Sequence, residues 1–185
     1  MATAVAKALL VLALPIVVFL AGARLMGVWS GRDRVVQRLA QHAAPEDRKP
    51  LNQRLGYGTA AVARHWGALD PVTRAAERHF LELDLAFPLF YGAAFLVSLL
   101  LAWATLGRPF HPVWIVGLVG IMIASDWTEN LLQLTQLSRY VELGAASLQS
   151  QWIAIASVAT VVKLASFAFA SLGVLYAAYR VATSR

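Results

Sequence analysis

Between Leu85 and Gly107 the chain runs for 23 residues without a charged side chain. As a helix rising 1.5 Å per residue, that stretch covers roughly 35 Å, enough to cross the hydrocarbon core of a bilayer with some tilt. A buried helix in a soluble core needs an uncharged run of only about 10–14 residues. The run therefore restricts the fold to classes that live in lipid. Two further apolar stretches repeat it. Pro112 to Leu137 opens on a proline at a position where a missing N–H costs nothing. Gln151 to Tyr179 contains a single charge, Lys163. Backbone groups in lipid must pair within their own segment or close a barrel, and the alternation expected of barrel strands is absent. The class is thus all-α and polytopic. Transmembrane helices are predicted over about 8–28, 83–106, 112–137 and 151–179, forming one membrane domain over residues 1–185. Composition agrees: 14% of residues are charged, against about 25% in soluble domains.

The first span is the shortest. Ala8 to Ala23 is uncharged between Lys7 and Arg24, and a helix from Lys7 to Val28 crosses if both cations snorkel to the interfaces. The rival reading is a cleaved leader, with Lys7 before the apolar stretch and Ala21-Gly22-Ala23 as the cleavage site. Ten Lys/Arg and five Asp/Glu lie from Arg24 to Arg78. The positive-inside rule then puts that segment in the cytoplasm and both termini outside. Beside a membrane, the net charge of +6 orients the chain and attracts anionic lipid heads. Nucleic acid is not an expected partner, there being no recognised motif and no basic–aromatic strip. The absence of cysteine excludes disulfides, iron–sulfur clusters and thiol catalysis.

Residues 32–82 read as a short helical segment between the first two spans. Val35, Val36, Leu39 and Ala40 form one apolar stripe; Leu55, Thr59, Val62, Trp66 and Leu69 form another, ended by Gly67 and Pro71. Asp70 is placed to cap a further helix, which Ala76, Phe80, Leu83 and Phe87 carry continuously into the second span. Such helices lie in the headgroup region or dock as a cap on the bundle. Glu77 and Glu82 are expected to be solvated.

Chemistry is expected at intramembrane polar groups, because a charge at mid-span costs about 2.5–3.5 kcal/mol and needs a partner. Asp126, Glu129, Asn130, Gln133 and Gln136 share one face of the third span. Lys163 lies midway along the fourth, and Asp84 and Tyr91 share a face at the mouth of the second. An ion pair of Lys163 with Asp126 or Glu129 is expected. Two carboxylates against one ammonium leave a surplus negative charge, which predicts a hydrated cavity beside Glu129 and Asp84. The ligand-binding set is therefore Asp84, Tyr91, Asp126, Glu129, Asn130 and Lys163, with no catalytic residue assigned. His42, His65, His79 and His111 form no ligand-spaced pair, so neither a metal nor a cofactor is expected. Gly117 and Gly120 read as helix-packing residues.

The stretch Leu55 to Gly92, with SDWTEN at 125–130 and VVKLASF at 161–167, resembles a widespread family of bacterial four-helix membrane proteins that carries no known activity. Its pattern is Asp-x-x-Phe-Pro-x-x-Tyr-Gly, then Asp-x-x-Glu-Asn, then Lys. Here these are Asp84, Phe87, Pro88, Tyr91 and Gly92, then Asp126, Glu129 and Asn130, then Lys163. The resemblance covers about two thirds of the chain and implies a bacterial inner (plasma) membrane location. In architecture alone, four helices with buried acids are also similar to the emopamil-binding-protein superfamily, which handles sterol-like lipids. Three functions fit these residues: binding of a small lipidic or amphipathic molecule, an accessory or assembly subunit of a membrane complex, and a proton-coupled transporter acting as an oligomer. The expected partners are membrane lipids together with a small lipidic ligand or another membrane subunit.

Overall fold

A computed structural model describes residues 2–108 and 111–183. The described residues form seven α-helices and no strand. These are α1 (Ala2–Ser30), α2 (Arg32–His42), α3 (Thr59–Gly67), α4 (Pro71–Leu83), α5 (Phe87–Thr105), α6 (Val113–Leu143) and α7 (Ser150–Thr183). Four stretches are long and apolar enough to cross a membrane: Thr3–Ser30, Pro71–Thr105, Val113–Leu143 and Ser150–Thr183. The second of these is not one continuous helix. Turn residues Asp84–Ala86 separate α4 from α5, and the N–H groups of Leu85 and Ala86 reach back only three residues, to Glu82 and Leu83. Pro88 explains the interruption, because a proline has no N–H to donate to the carbonyl four residues earlier, which here is that of Asp84.

The chain divides into two compact units. The first takes the chain up to Gly22, Phe87–Ala124 and the chain from Lys163 onward. Its core is apolar, with Val11, Ala102, Met122, Ala170 and Val181 almost fully buried. Phe19, Phe87, Tyr91, Phe95 and Phe167 form an aromatic cluster with ring centroids 4.8–6.1 Å apart, mostly tilted or edge-on. Close approach depends on two glycines. A Cβ on Gly22 would sit 2.1 Å from Phe87 Cε2, and one on Gly92 would sit 2.6 Å from Ile123 Cδ1. Gly117 and Gly120, expected to pack helices, have nothing within 4 Å of a Cβ position. The helix-packing role belongs to Gly22 and Gly92 instead, since only a residue facing a neighbour can bring two backbones together.

The second unit comprises Ala23–Ala86 and Ser125–Val162. Here α2 packs on α4, and Val35, Leu39, Val62, Trp66 and Leu69 are buried. Trp66 lies against Tyr140 of α6 with ring centroids 5.7 Å apart, so the segment between the first two spans is a cap docked on α6. Asp70 caps α4 as expected, its carboxylate accepting from Thr73 N–H at 2.9 Å. Two expectations about exposure fail. Leu55 and Val36 belong to the expected stripes, yet they are 84% and 42% exposed. Glu77 is 1% exposed rather than solvated.

Glu77 is buried because the partners it needs come from elsewhere in the cap. Arg32 Nη1 donates to Glu77 Oε2, and Arg32 Nη2 donates to Asn52 Oδ1 at 2.9 Å. The Arg32 guanidinium also stacks over Phe80, 4.0 Å from the ring centroid. On the other side, His65 Nε2 lies 3.5 Å from Glu77 Oε1. Arg54 Nη2 is 3.4 Å from His65 Nδ1. A guanidinium can only donate, so Nδ1 is the acceptor and the neutral ring's hydrogen sits on Nε2, facing Glu77. Arg54 also donates to Asp47 Oδ1 at 2.7 Å, and Arg64 Nε donates to Asp47 Oδ2 at 2.6 Å. One chain of charge-assisted contacts thus runs from Asn52 to Arg64.

This chain predicts an acid limb in the stability profile. Hydrogen bonds from Arg64 and then Arg54 hold the Asp47 carboxyl below its ordinary 3.8, and the Thr73 N–H does the same for Asp70. A carboxylate depressed in the folded state stabilises it above the unfolded value, and that contribution disappears as pH falls through the folded value. Melts of the purified chain will therefore hold level down to a pH of about 4, close to the 3.8 of the unfolded groups, and fall below it. Asp47→Asn will flatten that fall; an unchanged acid profile in the variant would remove Asp47 as its source.

Candidate functional site

The second half of α6 carries the polar face. Residues 126, 129, 130, 133 and 136 recur every three or four positions, so a helix stacks them on one side. Asp126, Glu129, Asn130, Gln133 and Gln136 are all buried, as is Asp84, and none is more than 4% exposed.

At one end of the face, Asn130 joins α6 to the break between α4 and α5. Its Nδ2 donates to the Asp84 main-chain carbonyl at 3.2 Å and to Asp126 Oδ1 at 3.1 Å. What Asp84 offers Asn130 is therefore its carbonyl, the one that a proline four residues later leaves without a helical donor. Trp127 Nε1 captures the next carbonyl, that of Leu85, at 2.7 Å. Both Asn130 contacts are to acceptors, which fixes the orientation of its amide. Its Oδ1 is consequently a buried acceptor, and no protein group donates to it.

Further along, Gln133 Nε2 bridges Glu129 Oε1 at 3.0 Å and Tyr57 Oη at 2.9 Å. Tyr57 reaches α7 as well: its N–H donates to Ser157 Oγ at 2.8 Å, and its hydroxyl lies 3.4 Å from Thr160 Oγ1. Gln136 and Gln149 close the far end, with Gln149 N–H donating to Gln136 Oε1 at 2.9 Å. Sequence reasoning did not assign Tyr57 to the site. The signal was present in Gly56-Tyr57-Gly58. Gly56 has φ +109, a conformation that side chains disfavour, and its Cβ position lies 3.8 Å from Ser157 Oγ. A tyrosine between two glycines can be carried close to a helix in this way.

Of the six residues expected at the site, Asp84, Asp126, Glu129 and Asn130 come together in the second unit. Tyr91 and Lys163 belong to the first. Tyr91 is buried edge-on among Phe19, Phe87 and Phe167. Lys163 is half-buried on α7, and its carbonyl accepts from Ser166 Oγ at 3.1 Å. On this face the Asn130 amide oxygen is a buried acceptor that no donor reaches. Such a face suits a ligand that brings hydrogen-bond donors. Comparison with protein-family models, with curated proteins and with solved structures finds no match.

Proposed function

We propose that the chain is a multi-pass protein of the bacterial inner membrane that binds a small amphipathic molecule through the polar face of α6. The molecule's head would carry an ammonium or hydroxyl group. Asn130 Oδ1 is the observation that carries this reading: a fully buried acceptor with no donor, beside the carboxylates of Asp126 and Glu129. Leaving a buried acceptor unmet costs about 1–3 kcal/mol, a cost that a ligand's N–H or O–H removes. The unmet Asn130 oxygen favours a head that donates, and the apolar helices favour a hydrocarbon tail. The ladder of Gln133, Tyr57, Thr160 and Ser157 supports a second reading, an accessory subunit in which the polar face only fixes helix register.

Ligand-induced thermal shifts in detergent separate the two. Oleylamine and oleyl alcohol are expected to raise the melting temperature, whereas oleate, with an ionised head that only accepts, is expected not to. Glu129→Gln keeps the shape and removes the charge, and should reduce the oleylamine shift most. Equal shifts for all three probes, or an oleylamine shift untouched by Glu129→Gln, would leave the accessory-subunit reading. Fractionation of a tagged chain checks the inner-membrane location, and recovery in another membrane would overturn it.

A further inference from the structure

Independently of the polar face, the structure assigns a second site, for the phosphate head of an anionic lipid, to the cleft between α4 and the end of α6. A cavity of about 370 Å³ is lined by Pro71, Arg74, Ala75, Arg78, Leu137, Ser138 and Val141. Two guanidinium groups and one hydroxyl supply the donors, and no carboxylate lines the wall. The two arginines differ in state. Arg78 Nε is engaged by Glu82 Oε1 at 3.0 Å, on an exposed surface. Arg74 Nε is buried and has no acceptor, and its guanidinium carbon lies 5.7 Å from the Tyr140 ring centroid. The nearby Asp70 carboxylate is committed elsewhere, accepting from Thr73 N–H and lying 3.7 Å from Arg38 Nε. Arg74 is thus a half-buried cation, held by an aromatic face and short of an anion.

Phosphate fits this chemistry, since its oxygens accept from a guanidinium fork while a hydroxyl completes the set. The apolar remainder of the wall argues for a lipid over a free anion. Pro71, Ala75, Leu137 and Val141 have nothing to offer inorganic phosphate. Val141 is 59% exposed, so the apolar wall continues out to the surface, where an acyl chain can follow it. The position agrees as well. Arg139 and Glu142 mark the return of charge at the end of α6, the level at which a spanning helix leaves hydrocarbon and meets headgroups.

The test is lipid retention by the full chain in dodecyl maltoside, read by native mass spectrometry with palmitoyl-oleoyl phosphatidylglycerol and phosphatidylcholine. The parent should retain phosphatidylglycerol over phosphatidylcholine, and Arg74→Gln should lower that retention at least about fivefold, the effect of removing one cation at a membrane surface. Arg34→Gln removes the same charge from an exposed position outside the cavity and should change nothing. Ala75→Trp fills the cleft from an exposed position without altering charge and should mimic Arg74→Gln, so a folding defect at Arg74 does not decide the outcome. Equal losses for Arg34→Gln and Arg74→Gln would mean diffuse surface charge, and no preference for the anionic lipid would mean no site; either overturns the assignment. Inorganic phosphate in the millimolar range should compete weakly. If it binds as well as the lipid does, the cleft takes a free anion and the lipid assignment fails.

Discussion

Replacing Glu77 by glutamine will destabilise the cap by about 3–5 kcal/mol, the cost of stranding a buried charge. The expectation rests on where the partners sit. Arg32 has a side chain only 8% exposed, and its guanidinium is ordered by Glu77, Asn52 and the Phe80 ring. Removing the carboxylate charge leaves that cation desolvated, with only neutral amide oxygens and one aromatic face to hold it. His65, fully buried, loses the oxygen its Nε2 faces. Exposed pairs such as Arg78–Glu82 are worth about 0–1 kcal/mol by comparison, because water already solvates both partners. The measurement is a detergent melt combined with limited proteolysis at residues 43–58, the loop whose turns depend on Asp47 and Arg54. Arg32→Met with Glu77→Leu should recover part of the loss, since an apolar pair of similar volume removes both charges. If Glu77→Gln melts with the parent and the loop resists protease equally, the network contributes nothing to stability.

That network also shows where the sequence stopped being legible. The spans could be read because a bilayer imposes one strong rule, about 20 residues without charge, and the four candidate helices obey it. Their ends could not be read as well. Hydropathy marks the stretch that suits lipid, whereas α6 and α7 continue as helix through Arg139, Glu142 and Arg180 to Leu143 and Thr183. Glu77 was misread because it sits on α4 beside Arg74, Arg78 and Glu82, and nothing local says which charged face will dock. Its principal partner lies 45 positions earlier, and helical periodicity carries no information at that range. Arg32 is illegible for the same reason, being a cation on the buried side of α2 with Val35 and Leu39. The polar face of α6 could be read because all its members belong to one helix and share a period. Tyr57 could not, since a loop residue joins such a face only through tertiary structure. The break before α5 lay between. Pro88 announced it, but the apolar positions continue across Leu83 and Phe87 as if the helix did too.

The carbonyl uncovered by that break supplies the other large effect. Asn130→Leu will be destabilising, at about 1–3 kcal/mol for each acceptor that loses its donor, offset by about 1–3 kcal/mol from deleting the unmet Asn130 Oδ1. Two acceptors lose one: the Asp84 carbonyl and Asp126 Oδ1, both now served by Asn130 Nδ2. Leucine matches the amide in size, so lost packing contributes little and the measured change reports the hydrogen bonds. A rescue follows from the same geometry. The Asp84 carbonyl depends on α6 because residue 88 has no N–H. Pro88→Ala restores a donor four residues on, in the position a regular helix would use. In the Asn130→Leu background that substitution should therefore recover part of the stability, whereas in the parent it competes with a contact already made and should gain less. The two single variants and the double variant form a cycle whose coupling is the quantity of interest. A coupling of zero in detergent melts would mean that the Asp84 carbonyl is satisfied without Asn130. A favourable coupling would show that the break between α4 and α5 and the polar face of α6 are one device, in which a proline frees a carbonyl at the helix break and an asparagine on the neighbouring helix takes it up.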